Sequence, residues 1–354
     1  MQQEITRTER GGFKKPSLPL PAGNLFTRTL TAKALASYRR CRVEDIIEVM
    51  WPNDTVLRAV SAPAEIGVAG WAQELAQKRV VDTLAAMGAA AAAADVMKRS
   101  LVLDWNGAGS ISAPGFVASS ANSGFVAEGS PIPVRQLNAV AALLTPAKLA
   151  TIAVLTREMV ESSNAEALIS DALINSSGLA LDAVFFGSGA ATAAQPAGIR
   201  NGIAALTPSA NTDAFGAFFE DMATLLNAVG AVGGNGPFFI ISSIGRHASA
   251  SGRYGSLKAE GTDAMIIPLA SAAVGNDVVV IAPKALVAAL SANPDVETVN
   301  SATLVMDTIP VTPDTTQATK SMWQTDSLAV KIRWPVTWAL RNAAAVAWLT
   351  PTWK

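Results

Sequence analysis

Around Thr156 the hydrophobic pattern of this chain changes period. Ahead of it, Leu137 to Leu144 and Leu149 to Leu155 are apolar runs of strand length, with Thr145-Pro146-Ala147-Lys148 between them as a turn. Behind it, Ile169, Ala172, Leu173, Ser176, Leu179, Ala180, Ala183 and Val184 recur at helical spacing. Thr156 can cap that helix by accepting from a first-turn N–H. Glu158 places a negative charge at its positive end. Unbroken from Arg157 to Val184, the helix is about 42 Å long; Asn175-Ser176-Ser177-Gly178 can interrupt it. The two strands read as a long β-arm, headed by the turn-rich Glu128-Gly129-Ser130-Pro131-Ile132-Pro133. An arm of this kind beside a long helix is an extended shape that suits contact with neighbours.

The rest of the chain mixes both periods. Residues 1–30 combine charge with Gly11-Gly12, Pro16, Pro19 and Pro21, and read as an extended arm. Residues 31–50 look helical, with Thr31 as a cap, and Trp51-Pro52 ends them because proline disfavours helix in the residue before it. Trp71 to Lys98 is a second helical stretch. Gly107, Gly109, Pro114 and Gly115 then break the chain. Residues 213–230 read as helix. Pro237–Ser242, Met265–Leu269 and Asp277–Ala282 read as short buried strands, with helical stretches near 243–253 and 284–291. Strand-like segments near 297–310 and 327–350 close the chain. The fold class is α+β.

Composition narrows the function classes. Half of the 354 residues are apolar, but only 6% are aromatic and many are alanine, so the core is built from small side chains. The net charge of −1 gives no strong overall field to draw nucleic acid. Residues 1–60 are mildly basic, with ten Lys/Arg against six acids, and read as a solvated tail. Cys41 is the only cysteine, which excludes an intrachain disulfide and fits a reducing cytoplasm. The polar start, Met1–Arg10, has no apolar run after it of the kind a signal peptide needs. The alanine-rich run from Leu84 to Ala94 is too short and too weakly apolar for a membrane span.

Catalytic chemistry finds little to stand on. His247 is the only histidine, so a zinc cluster or a Ser-His-Asp arrangement has few candidates, and no serine lies in a nucleophile elbow. Gly187-Ser188-Gly189 lacks the Gly-Lys-Ser/Thr ending of a phosphate-binding loop and reads as a turn. Asp213, Glu220 and Asp221 read as a solvated helix face. The aromatic and basic end (Lys331, Arg333, Trp334, Trp338, Arg341) reads as strand packing rather than a base-stacking groove. No catalytic residue, cofactor or metal is expected. A cytosolic enzyme working through His247 or a carboxylate pair is the reading from a different class.

Four stretches, in order, give the chain a likeness. Phe125 to Pro133 resembles the "valine, x, glutamate, glycine … proline" opening of the extended loop in the major capsid protein family of tailed bacteriophages, which has the Hong Kong 97-type fold. Leu144 to Ser163 resembles that family's returning strand and the start of its spine helix. Phe186-Gly187-Ser188-Gly189 with Pro196-Ala197-Gly198-Ile199 resembles the turn after the spine. Met322 to Trp353 resembles its carboxy-terminal strands. Residues 31–52 and 71–75 also look like the amino-terminal region of members from proteobacterial phages.

The resemblance implies five regions: an amino-terminal arm and helical region (1–110), an extended loop (111–156), the spine helix and start of a peripheral domain (157–204), an axial domain (205–300), and strands returning to the peripheral domain (301–354). It implies assembly contacts at Glu128, Gly129, Pro131, Pro133, Arg135, Lys148, Thr156 and Glu158, and a turn at Gly187, Gly189, Pro196 and Gly198. Hexamers and pentamers of the chain would build an icosahedral shell around double-stranded DNA touched without sequence preference. Scaffold, protease, portal and decoration proteins would be the partners, with no membrane. Assembly would take place in the host bacterial cytoplasm and the product would be a virion. Some members cross-link through a lysine near the loop tip. The matching position here is Gly129, and no lysine lies between Lys98 and Lys148, so no such bond is expected. The amino-terminal segment, cleaved as scaffold in some relatives, reads as retained. An encapsulin-type compartment shell and a gene-transfer-agent capsid are the alternatives within the same fold.

Overall fold

The computed structural model describes residues 28–29, 31–33, 35–36, 41–52, 54, 91–105, 109–116, 125, 139–161, 173, 175–256, 266–291, 295–306 and 318–353. In chain order the elements are α1 (Val43–Met50), α2 (Ala92–Lys98), β1 (Leu101–Asp104), β2 (Ile111–Phe116), β3 (Ala139–Leu144), β4 (Ala147–Thr156) and α3 (Arg157–Glu161). There follow α4 (Ser176–Phe185), α5 (Ala214–Gly233), β5 (Phe238–Ser242), α6 (Ile244–Ser256), β6 (Ile266–Ala270), β7 (Val278–Ile281) and β8 (Leu286–Leu290). β9 (Asp295–Val299), β10 (Thr303–Val305), β11 (Thr319–Ser321), β12 (Ser327–Leu340) and β13 (Val346–Leu349) complete the order. No helix among the described residues is long and apolar enough to cross a membrane.

The chain divides into two compact units. One holds residues 1–74, 151–174 and 295–332; the other holds 75–150, 175–294 and 333–354. In the first, α1 buries Ile46 and Ile47 while Glu44 and Asp45 occupy its first turn, where negative charge meets the helix dipole. Trp51 closes α1 by donating its backbone N–H to the Ile47 carbonyl at 2.9 Å. Residues 28–29, 31–33 and 35–36 are also helical, and Thr31 lies inside that stretch rather than capping it. Arg28 meets Asp54 at 2.7 Å. Leu328, Val330 and Ile332, alternate residues of β12, bury one strand face in the same core as Ala32, Leu35, Ala36 and Leu155. β10 and β11 pair antiparallel, Leu304 opposite Lys320.

The second unit is built around a four-stranded sheet, ordered β13-β7-β5-β6. β5 runs parallel to β6 and antiparallel to β7, with Ile240 opposite Val280. Every residue of β5 and β7 is buried. Burial on both faces is why these strands read as continuous apolar runs rather than alternating ones. α5 and α6 cover one face, packing Phe218, Met222, Leu225, Val229, Ala250 and Tyr254 onto Phe238, Ile240, Val278 and Val280. α5 starts where Asp213 accepts from the Gly216 N–H at 2.7 Å and ends at Gly234, whose φ of 59° suits glycine. Gly233 lies so close to Phe238 that a Cβ there would stand 2.3 Å from its ring.

Beside this sheet, β8 pairs parallel with β1 and antiparallel with β12. The helical expectation for 284–291 is wrong: a single 3₁₀ turn at Pro283–Ala285 leads directly into β8, all of it buried. A five-residue apolar run buried on both faces carries no period that separates strand from helix. The pairing expected of the arm also differs. Both strands exist, but β3 pairs antiparallel with β2, Ser112 opposite Leu143, and β4 pairs with β12. The stretch expected to break at Pro114 and Gly115 is therefore strand β2. Pro114 stands opposite Ala141 and Gly115 opposite Val140; both strands of a two-stranded ribbon are edge strands, the kind in which proline is tolerated.

Candidate assembly site

The ribbon β2–β3 is rooted in a small apolar cluster. Ala113 and Leu144 are buried against Trp105, Val287 and Ala289. The opposite face of the root carries Ser112 and Leu143, and Leu143 is 67% exposed. Phe125, between the two strands, is fully exposed. Glu128, Gly129, Pro131, Pro133 and Arg135 lie outside the described residues. Lys148 stands exposed on β4 beside Ala150, in an alternating pattern. Thr156 ends β4, and its hydroxyl oxygen receives the Met159 N–H of α3 at a long 3.5 Å. Glu158 is exposed in the first turn of α3. The expected long helix is described at its two ends, Arg157–Glu161 and Ser176–Phe185; residues 162–172 and 174 lie outside the described set.

The structure brings Gly187, Gly189 and Gly198 together, and Pro196 lies in the same loop two residues ahead of Gly198. After α4 the chain turns back on itself: Gly198 N–H donates to the Gly189 carbonyl at 3.0 Å and Ile199 N–H to the Phe185 carbonyl at 2.9 Å. A Cβ on Gly198 would fall 2.1 Å from the Gly187 carbonyl oxygen, so only glycine fits. Gly189, by contrast, has open space around it. Arg200 locks the turn: its Nε donates to the Phe186 carbonyl at 2.7 Å and its guanidinium meets Asp277 at 2.5 Å. The same guanidinium lies over the Trp348 ring, 5.0 Å from its centre. Trp338 Nε1 donates to the Ala197 carbonyl and Trp348 Nε1 to the Ile203 carbonyl, each at 2.9 Å. The carboxy-terminal tryptophans thus pin this loop.

Asp182 is the residue that sequence reading missed. It lies buried in α4 and accepts from Ala93 N–H at 2.8 Å, Ala92 N–H at 3.1 Å and the Ser271 hydroxyl at 2.6 Å. α2 has no side-chain cap of its own at Ala91, so Asp182 caps it from a distant part of the chain. Burial pushes the Asp182 carboxyl above the usual carboxylate range; the bonds from Ser271, Ala93 and Ala92 pull the other way. A lone acid inside Leu179-Ala180-Leu181-Asp182-Ala183-Val184-Phe185 was the available signal.

Asp221 also departs from the reading of a solvated face. It is buried and accepts from Ser209 N–H at 2.7 Å and from Trp353 Nε1 at 2.8 Å. Asp213 caps α5, and exposed Glu220 accepts from Ser209 and from Asn211; these bonds lower its carboxyl. His247 sits on α6 beside the Tyr254 ring, and its buried Nδ1 has no partner among the described residues. No hydrogen bond among the described residues links a serine or carboxylate to its Nδ1, as a triad would require. Among the described residues no group of His, Cys, Asp and Glu could hold a metal.

No family model matches the chain, and no curated protein does. Solved structures do. The chain is similar to one from Mycobacterium phage Adephagia at 16% identity, over 73% of this chain and 90% of that one, with a TM-score of 0.47. It is similar to the virus-like particle from Pyrococcus furiosus at 11% identity, over 77% and 98%, with the same TM-score. A satellite phage P4 procapsid that includes the size determination protein is similar at 8% identity, over 84% and 95%, again at 0.47. Scores and identities this low leave the chain's own residues to decide its function.

Proposed function

We propose that the chain is a shell-forming subunit: many copies, as hexamers and pentamers, close into an icosahedral capsid around a bacteriophage genome. The observation that carries the reading is the β2–β3 ribbon. It pairs with no third strand among the described residues and keeps Leu143 on its outer face. A two-stranded ribbon is marginal alone in water, and its unpaired edges invite another chain. Its place in the sequence, just ahead of β4 and α3, is that of the extended loop in the family the sequence resembles. The locked turn after α4 carries the glycine-and-proline motif by which the sequence resembles that family's turn after its spine, which supports the reading. The ribbon lies across a neighbouring copy, and many weak contacts, multiplied by the closed geometry, hold the shell.

Replacing residues 117–138 with a short turn tests this. The shortened chain is expected to unfold at the wild-type urea midpoint, yet to sediment only as small species where the wild type sediments as large particles. Particles of wild-type size from the shortened chain would overturn the role given to the ribbon.

A further inference from the structure

We propose that Asn201-Gly202 is a self-modification site, at which the locked loop converts asparagine to aspartate or isoaspartate without an enzyme. The chain has three Asn-Gly pairs, at Asn106, Asn201 and Asn235. Asn106 is outside the described residues. Asn201 and Gly202 are both exposed, in a turn closed by Ile203 N–H on the Arg200 carbonyl at 3.1 Å. Gly202 has a φ of 73° and open space where a Cβ would be. Its own N–H donates to no described residue. That nitrogen is the nucleophile the reaction needs.

The chemistry balances with water alone. The Gly202 backbone nitrogen, losing its proton to solvent, attacks Cγ of Asn201; a C–N bond forms and ammonia leaves with that proton. Water then opens the cyclic imide at either carbonyl. One opening gives aspartate; the other gives isoaspartate, with an extra methylene in the backbone. Asn235 has the same dipeptide in a different setting. Gly236 is buried and its N–H donates to the Gly233 carbonyl at 3.2 Å, so its nitrogen is occupied.

The consequence falls on the loop. Asn201 Nδ2 now donates to the Ser188 carbonyl at 3.0 Å. A carboxylate there has no proton to give and faces that carbonyl with like charge. The added methylene also shifts Ile203, whose carbonyl accepts from Trp348. Conversion therefore loosens the pin on the 186–206 loop.

The test is timed incubation of the full chain at mildly alkaline pH in ¹⁸O water, with peptide mapping of labelled Asp and isoAsp. In the folded protein, position 201 is expected to convert several-fold faster than position 235, and the two are expected to converge in urea. Gly202→Ala is expected to slow conversion at 201 in both conditions, which a loop already loosened by the substitution would not do. Equal rates at 201 and 235 in the folded chain, or no label at 201, would overturn the proposal.

Discussion

Removing the carboxylate of Asp182 exposes how much of the second unit hangs on one buried acid. Asp182→Ala strips the acceptor from the Ala92 and Ala93 N–H groups and from the Ser271 hydroxyl. Each buried donor left unsatisfied costs about 1–3 kcal/mol. The variant also no longer holds a carboxylate out of water, which returns part of that loss. The net expectation is a loss of about 2–4 kcal/mol. Asp182→Asn keeps one acceptor oxygen for the Ala93 N–H and turns an amide toward Ser271, which can rotate to accept, and toward the Ala92 N–H, which loses its acceptor. It should lose about 1–2 kcal/mol, less than Asp182→Ala. The assay is urea unfolding of the full chain, comparing midpoints at constant slope. The pH dependence has a definite sign. Burial raises the folded carboxyl above its unfolded value, so the folded state holds its proton more tightly. The stability this contributes is present at low pH and is lost as pH rises from about 4 upward through the folded value. Wild type should therefore weaken relative to Asp182→Asn over that rise. Equal stability of Asp182→Ala and wild type, or a difference that grows in the opposite direction, would refute the capping account.

Gly198→Ala forces a Cβ to 2.1 Å from the Gly187 oxygen and should cost about 3 kcal/mol or more, read by thermal unfolding; Gly189→Ala nearby should be close to neutral. Trp353→Phe keeps the ring against Phe218 but takes the indole N–H from buried Asp221; about 1–2 kcal/mol should be lost in urea. Assembled particles boiled in SDS should run as monomer bands, because no lysine lies between Lys98 and Lys148 to cross-link the expected loop; a covalent ladder would contradict that.

Legibility followed periodicity. α5, β5 and β7 were readable because each offers a strong pattern: a capped helix with an apolar stripe, and two continuous β-branched and aromatic runs. β8 was not, since Leu286-Val287-Ala288-Ala289-Leu290 suits either period and only burial on both sides decides. Strand pairing was also beyond the pattern. Leu137–Leu144 and Leu149–Leu155 flank a turn and look like a hairpin, yet each pairs elsewhere. Nothing in local sequence states which partner wins. The turn after α4 was visible as a glycine-and-proline motif, but its lock was not. Arg200, Asp277, Trp338 and Trp348 come together only through tertiary structure. Asp221 looked solvated because it adjoins exposed Glu220; one residue of helix rotation separates the two environments.

The central claim is assembly, and negative-stain electron microscopy of the expressed full chain, with light scattering on the same sample, tests it most directly. Uniform closed shells, or rings of five and six subunits, are the expected result. A monodisperse monomer or dimer at every concentration and salt examined would contradict it.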